Sequence, residues 1–270
     1  MGTLDGIAAW PVGSAAAAVV GPDGVRETWG DVAAAYPLAS VTKPLVALAC
    51  LVAVEEGALH LDDPAGPSGS TIRHLLAHAS GLAPESRDVV ARPGTRRIYS
   101  NAGFEVLGEH LERASRMPVA DYLRQGVCEP LGLRSTALAG SPAHGGRSTV
   151  DDLAAVTAEL LVAARLLHPS TVAQLATVQF PGLTGVVPGF GRQPTNDWGL
   201  GMEIRDSKSP HWTGSANSPG TYGHFGRSGT FVWVDPVARL ALVVLTDTEF
   251  ERWAKDAWPP LADAVLAAHG

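Results

Sequence analysis

A serine and a lysine one helical turn apart are the first residues of this 270-residue chain that could do chemistry together. Ser40 and Lys43 stand in the segment PLASVTKPLVAL, at the start of a run that is apolar on nearly every side. In the first turn of a buried helix, an amine loses hydration and faces the positive end of the helix dipole, and both effects lower its pKa. Such an amine can accept the proton of a neighbouring serine hydroxyl and make it a nucleophile. The pattern also fits a serine that caps the helix and a lysine that reaches solvent, so other residues must decide.

Two further short motifs could complete such a site. The segment RRIYSNAGFEVLG places Tyr99 and Asn101 just ahead of a predicted helix. There a phenol can share a proton transfer, and an amide can bind a carbonyl group or the lysine. The segment TYGHFGRSGTFVWVDP places His224 and Gly226 at the head of an alternating strand, where a small residue lets a ligand approach the backbone closely. Taken singly, the two motifs are also consistent with a helix N-cap at Asn101 and an ordinary glycine-rich strand start.

The three motifs, in this order and at these separations, resemble those of the serine β-lactamase and penicillin-binding protein superfamily. The branch that they resemble contains class C β-lactamases, D-alanyl-D-alanine carboxypeptidases and family VIII esterases. The likeness covers most of the chain and includes the segments PLASVTK, VEEGALHLDDP, IRHLLAHASGL, YSNAGFEVLGEHLE and HFGRSGTFVWVDP. The resemblance implies a hydrolase that forms an acyl-enzyme intermediate on a serine.

The same resemblance implies a role for each catalytic residue. Ser40 would be the acylated nucleophile, Lys43 its partner base, and Tyr99 a second group that transfers protons together with Lys43. How the role of base is divided between Lys43 and Tyr99 stays open.

Four residues are implied to bind substrate. Asn101 would orient the acyl side of the substrate, and His224 and Gly226 would line the cleft on a strand. The backbone N–H groups of Ser40 and Arg227 would form the oxyanion hole, where each donor typically lowers the barrier by about 3 kcal/mol.

The third motif departs from the K-T-G that binds the carboxylate of a β-lactam or of a terminal D-alanine. His224 and Phe225 occupy those positions, and they offer less to an anion, although Arg227 could compensate. We therefore expect an esterase-like enzyme that hydrolyses small esters and, less readily, amides. The alternatives are a β-lactamase, a D-alanyl-D-alanine carboxypeptidase or an aminopeptidase-type amide hydrolase, and a penicillin- or peptide-binding module without turnover. Transfer of the acyl group to an alcohol would follow the same chemistry.

The elements that must position these residues follow from hydrophobic periodicity. SAAAAVV and VRETWG, joined by GPDG, predict an N-terminal hairpin. The apolar run Thr42–Glu56 predicts a buried helix that Gly57 ends. Thr149 has the position of an N-cap for a helix that runs to Leu167. Other helices are predicted in STIRHLLAHA, NAGFEVLGEHLERAS, VADYLRQGV and, interrupted by its two prolines, EFERWAKDAWPPLADAVLAAHG; strands are predicted in LGMEI, GTFVWVDP and RLALVVLTD.

Strands at both ends of the chain with helices between them predict an α+β fold. The N- and C-terminal strands would form one central antiparallel sheet, flanked by helices, with an all-helical lobe inserted. Residues 1–58 and 180–270 would form the sheet lobe and residues 59–179 the helical lobe, with the cleft between them. Residues 181–197 are loop-like and could carry a lid.

Composition excludes several classes of function. The net charge is −7, and basic residues are not interleaved with aromatic ones, so nucleic acid is not an expected partner. The sequence shows no signal peptide and no run long enough to span a bilayer, so we expect a cytoplasmic protein without a membrane partner. Cys50 and Cys128 do not make a disulfide framework and are predicted to be buried thiols. No phosphate-binding or dinucleotide-binding motif occurs, so no cofactor is expected, and the oligomeric state is not indicated.

Other candidate residues have simpler explanations. His74 and His78 have the i, i+4 spacing of a zinc pair, but the glutamate of H-E-x-x-H and a third ligand are missing, so no metal is expected. Trp212 and Tyr222 lie in or beside the polar loop RDSKSPHWTGSANSPGTYG and could contact substrate at the cleft rim. The acidic pairs at helix starts and turns are expected to be structural: Asp62, Asp63, Asp151 and Asp152.

Overall fold

The computed structural model describes residues 2–162 and 165–270. Its centre is a six-stranded antiparallel sheet in the order β2-β1-β11-β10-β9-β8. The sheet strands are β1 (Ala15–Gly21), β2 (Gly24–Gly30), β8 (Glu203–Ile204), β9 (Tyr222–Gly226), β10 (Thr230–Asp235) and β11 (Leu240–Thr246). The predicted α+β fold, with one sheet made from the two ends of the chain, is confirmed.

The chain between β2 and β8 is mainly helical. Its helices are α1 (Thr42–Glu55), α2 (Ile72–Leu76), α3 (Asn101–Ser115), α4 (Val119–Leu123), α5 (Glu129–Leu131), α6 (Val150–Val162) and α7 (Pro169–Leu175). It also holds short strands that the sequence did not predict: β3 (Tyr36–Pro37), β4 (Ala137–Leu138), β5 (Gly146–Ser148), β6 (Gly185–Val187) and β7 (Gly191–Gln193). The first three pair with one another, and β6 pairs with β7 within the predicted lid segment. The last helix is α8 (Arg252–His269).

The sheet separates two hydrophobic cores, as the alternation along its strands requires. On one face, Ala16, Ala18 and Val20 of β1 join a cluster that includes α1, α3 and α6. On the other face, the intervening residues of β1 join a cluster that includes α8. Helix α1 is buried from Thr42 to Ala53, and Gly57 follows it with φ 73°, so the predicted central helix and its glycine stop are confirmed.

Helix α6 packs on the sheet, against β1 and β11. The Thr149 hydroxyl accepts the Asp152 N–H, as expected of an N-cap. The prediction that this helix runs on to Leu167 is wrong at its end, because residues 165–167 form a bend; Ala163 and Ala164 lie outside the described residues. The division of the chain into two lobes stays a prediction.

The predicted interruption of the C-terminal helix is wrong, because α8 continues through Pro259 and Pro260. Proline has no backbone N–H, so the carbonyl groups of Lys255 and Asp256 lack the hydrogen bonds that they would otherwise accept from residues 259 and 260. Lys255 and Asp256 lie on the exposed side of the helix, where water can satisfy their carbonyl groups. The prolines are therefore accommodated without breaking the helix.

The described part of the chain has no helix that is both long enough and apolar enough to cross a bilayer. Cys50 and Cys128 are buried free thiols, as predicted, and burial raises the pKa of Cys50 to about 12 and of Cys128 to about 11.

Candidate active site

Ser40 lies in a single helical turn, Ala39–Val41, that leads into α1. The residue before it, Ala39, has φ 45°, a left-handed conformation that costs energy for any residue with a Cβ. The Thr42 hydroxyl holds this turn by donating to the Ala39 carbonyl oxygen at 2.6 Å. Ser40 is partly exposed and lines a cleft, so its hydroxyl is fixed in position yet open to a substrate.

Lys43 is buried in the first turn of α1 and directs its amine at Ser40. Its Nζ lies 3.3 Å from Ser40 Oγ. The amine also donates to Asn101 Oδ1 at 2.7 Å and to the Ala143 carbonyl oxygen at 2.9 Å. These two acceptors use two of the three amine directions and leave the third for the serine.

Burial lowers the pKa of Lys43 from 10.5 to about 7, because the ammonium form loses its hydration. The negative charges of Glu85 and Glu105 act in the opposite direction and raise this pKa, but by less. A substantial fraction of the amine is therefore neutral near pH 7 and can accept a proton from Ser40.

Tyr99 lies beside the lysine because the segment before α3 is fixed at Ser100. Ser100, not Asn101, is the N-cap of α3: its hydroxyl accepts the Gly103 N–H at 2.9 Å and donates to the Ala83 carbonyl oxygen at 2.6 Å. The Tyr99 ring centroid is 4.6 Å from Lys43 Nζ. Burial raises the pKa of the Tyr99 phenol, and its interaction with the Ser40 hydroxyl opposes this rise. The phenol is therefore protonated at neutral pH.

Asn101 is the first residue of α3, and its side chain points to the lysine. Its Oδ1 accepts the Lys43 bond, and its Nδ2 donates to Glu85 Oε1 at 2.8 Å. Asn101 therefore holds the amine in place, one of the two roles considered for it from the sequence.

Gly226 brings strand β9 against the serine turn. A Cβ on this residue would collide with the Leu38 carbonyl oxygen and lie 3.2 Å from the Ser40 nitrogen, so only glycine fits. The turn that follows is tied to the same segment, because the Thr230 hydroxyl donates to the Leu38 carbonyl oxygen at 2.9 Å. The backbone after Gly226 therefore lies next to the N–H of Ser40, where an oxyanion hole would form.

His224 is buried on β9 with one ring nitrogen unpaired. Its Nδ1 lies 2.7 Å from the Phe225 carbonyl oxygen, so Nδ1 carries the proton and donates. Its Nε2 has no hydrogen-bond partner among the described residues. Burial, with a smaller contribution from Lys43, lowers the pKa of His224 to about 3, so the ring is neutral.

Arg227 does not lie in the cleft as a free anion-binding group. Its side chain is 82% exposed, and its Nε pairs with Glu249 at 3.4 Å. Its expected compensation for the missing K-T-G lysine is therefore weak, because the charge is screened by solvent and offset by the glutamate.

The cleft has a volume of about 440 Å³. It is lined by Ser40, Glu85, Tyr99, Asn101, Pro188, Gly189, Trp198, Glu203, His224, Phe225, Arg227 and Phe250. Pro188 and Gly189 belong to the turn between β6 and β7, so the predicted lid segment does form part of the cleft wall.

The expectation that Trp212 and Tyr222 contact substrate is wrong. Trp212 is 2% exposed, packs in the core on the α8 side of the sheet, and donates from Nε1 to Glu203. Tyr222 is 3% exposed and donates to the Leu160 carbonyl oxygen. The sequence placed both in or beside a polar loop, whereas their rings fold inward.

Several residues of the site were not found from the sequence. The Ala143 carbonyl accepts from Lys43, and Glu85 accepts from Asn101. Both lie in loops with no recognisable motif, so only the tertiary structure reveals them. Trp198 and His78 pack against Tyr99, with ring centroids at 5.9 Å and 4.6 Å. The segment IRHLLAHASGL was a usable signal for His78, which lies beneath the site.

His74 and His78, the pair considered for zinc, each contact different residues. His74 stacks on Phe180 at 4.1 Å and bonds to Thr71. His78 accepts the Ser100 N–H at Nδ1 and is fully enclosed. The described residues contain no group of three His, Cys, Asp or Glu side chains placed to hold a metal ion.

The sequence and the fold of this chain match those of known proteins. The family model described as Beta-lactamase matches residues 12–266. The chain belongs to the β-lactamase family. A crystal structure of a β-lactamase from Mycobacterium bovis is 57% identical, with a TM-score of 0.98 over 99% of each chain.

Two other proteins show how far the similarity extends. Penicillin-binding protein 4* of Bacillus subtilis is 31% identical over 134 residues, 37% of this chain and 30% of that protein. EstCE1, a hydrolase with promiscuous acyltransferase activity, is 20% identical, with a TM-score of 0.81 over 98% of this chain and 96% of the other, and shows the fold alone. The chain spans about half the length, or less, of the curated relatives it matches.

Proposed function

We propose that this protein is a serine hydrolase that forms an acyl-enzyme on Ser40 and hydrolyses small esters. The observation that supports this most directly is the buried Lys43 amine, 3.3 Å from Ser40 Oγ with a pKa of about 7. A base with a pKa near the working pH is the most effective at taking a hydroxyl proton.

The residues suggest how the reaction proceeds. Ser40 Oγ attacks the substrate carbonyl carbon while its proton passes to Lys43, directly or through Tyr99. The negative charge on the carbonyl oxygen is stabilised by the N–H groups of Ser40 and Arg227. The protonated partner then gives the proton to the leaving alkoxide, and water releases the acyl group by the same steps in reverse.

The cleft favours a neutral ester over an anionic substrate. Among the described residues that line the cleft, Arg227 is the one basic side chain, and it is exposed and paired with Glu249. His224 is neutral because burial holds its pKa at about 3. A substrate carboxylate would therefore meet no unpaired cation on the described cleft wall to replace its hydration, which costs binding energy.

A β-lactamase is the second candidate, because the relative from Mycobacterium bovis that is 57% identical is described as one. That similarity extends over 99% of both chains, so it includes the part of this chain that forms the cleft. Turnover of nitrocefin, a chromogenic cephalosporin, would separate this function from the esterase.

The experiment measures product release and intact-protein mass after exposure to p-nitrophenyl butyrate and, separately, to a penicillin. Ser40→Ala is the control. Catalytic release of nitrophenol that depends on Ser40, without turnover of nitrocefin, supports the esterase. A stable penicilloyl adduct on Ser40 without turnover would instead indicate a binding module, and full activity of Ser40→Ala would refute the mechanism.

A further inference from the structure

Glu85 places a carboxylate at the acyl side of the cleft. It lines the cleft and is exposed to solvent. Its loop is tied to α3, because the Asn101 N–H donates to the Pro84 carbonyl oxygen at 2.7 Å and the Ser100 hydroxyl to the Ala83 carbonyl oxygen at 2.6 Å. The backbone therefore holds the carboxylate beside Asn101.

Glu85 changes what Asn101 can offer a substrate. The Asn101 Oδ1 is taken by Lys43, and the Nδ2 donates to Glu85 Oε1 at 2.8 Å. The amide keeps one N–H for a substrate carbonyl, whereas a substrate group that reaches beyond the amide meets the glutamate oxygens. Because an ionised carboxylate only accepts hydrogen bonds, a donor is favoured at that position.

His224 adds no positive charge to the cleft wall. Its Nδ1 carries the proton that is donated to the Phe225 carbonyl oxygen, and its Nε2 is shielded from solvent and has no partner among the described residues. The ring is 4% exposed and lies against two other cleft residues, 5.8 Å from Tyr99 and 5.5 Å from Trp198. The neutral ring therefore leaves the charge of Glu85 unopposed on this wall.

Glu203, the other carboxylate of the cleft, is already occupied. Trp212 donates to its Oε2 at 2.8 Å, and the Lys208 amine lies 3.4 Å from its Oε1. Its charge is therefore offset by Lys208, which leaves Glu85 as the negative group available to a substrate among the described cleft residues.

From these contacts we infer that the acyl-side subsite binds a cationic hydrogen-bond donor, so that the preferred substrates are esters whose acyl group carries an ammonium group. This inference rests on the proposed esterase function and names its substrate class. The ammonium group would donate to Glu85, whose position Asn101 and the Pro84 carbonyl fix in advance.

The test compares three p-nitrophenyl esters at pH 8. The β-alanine ester carries an ammonium group, the butyrate ester is its neutral isostere, and the succinate ester carries a carboxylate. We expect kcat/KM to be highest for β-alanine, by about fivefold over butyrate, as for an exposed ion pair. The preference should weaken as salt is added, because the pair is screened.

The variants Glu85→Gln and Glu105→Gln separate the charge at the subsite from its effect on the lysine. Both carboxylates raise the pKa of Lys43, but Glu105 bonds to Ser141 and does not line the cleft. Both variants should move the acid side of the pH profile to lower pH, whereas only Glu85→Gln should abolish the preference for the β-alanine ester.

An equal preference in wild type and Glu85→Gln, or a wild-type preference for butyrate or succinate, would overturn the inference and leave the esterase intact. If no ester is turned over in a manner that depends on Ser40, the proposed function falls and this inference falls with it.

Discussion

Replacing Lys43 with methionine should reveal the free energy stored in the buried amine. The pKa of Lys43 is lowered by burial from 10.5 to about 7, so between these values the unfolded chain binds a proton that the folded protein does not. The destabilising contribution of Lys43 to the free energy of unfolding is largest below pH 7. It declines as the pH rises towards 10.5. The stability of the wild type relative to Lys43→Met should therefore increase with pH.

The size of the effect follows from the shift. A pKa that falls from 10.5 to about 7 corresponds to about 5 kcal/mol when the effect is complete. Between pH 7 and pH 9 about 2 kcal/mol of it should be relieved. Methionine also leaves the Asn101 and Ala143 oxygens without a donor, a cost of about 1–3 kcal/mol for each, but that cost is the same at both pH values.

The assay is urea unfolding of wild type and Lys43→Met at pH 7 and pH 9. The quantity compared is the difference between the two free energies of unfolding, so that other titrating groups, such as Lys208, cancel. An increase of about 2 kcal/mol in favour of the wild type supports the reasoning. A difference that does not change with pH would show that Lys43 keeps an ordinary pKa, and the argument for a neutral base would fail.

Three further substitutions test other parts of the structure. Gly226→Ala should lower kcat for p-nitrophenyl butyrate at least tenfold, because the new Cβ would displace the Ser40 turn; unchanged kcat would mean that the turn adapts. Tyr99→Phe should lower kcat by about 100-fold with little change in KM, and a rise in KM with little change in kcat would point to a binding role instead. Asp235→Ala should lower the free energy of unfolding by about 3 kcal/mol, measured in urea, because the carboxylate accepts the Ser218 N–H at 2.7 Å and a Thr221 hydroxyl at 2.8 Å; a change below about 0.5 kcal/mol would contradict this.

The parts of the site that the sequence predicts are those fixed by local spacing. Ser40 and Lys43 are one turn apart, and Tyr99 and Asn101 flank a serine N-cap, so the chain itself brings each pair together. Five of the six sheet strands were also predicted, although the strand expected in LGMEI is reduced to Glu203–Ile204. The sixth, β9, was not distinguished: His224 and Gly226 were placed at the head of the strand that became β10, whereas a turn at 227–229 separates the two strands.

What could not be predicted depends on contacts distant in sequence. The Ala143 carbonyl bonds to Lys43 across 100 positions, and a backbone oxygen leaves no mark on the sequence. Trp212 was predicted at the cleft rim because its neighbours in sequence are polar. His211 and Thr213, on either side of it, hydrogen-bond to each other, and the Trp212 ring packs in the core. Glu85 was missed because an exposed glutamate in a loop looks like any solvated charge.

The pairing of β1 with β11 determines when the candidate site can be complete during synthesis. Ala15 lies opposite Thr246, so the first strand stays without this neighbour until residues 240–246 have left the ribosome. Strand β9, which packs against the serine turn, is made only shortly before β11. A nascent chain that already contains Ser40, Lys43, Tyr99 and Asn101 therefore lacks the assembled site until these long-range strand pairs form, which is a slow step in folding.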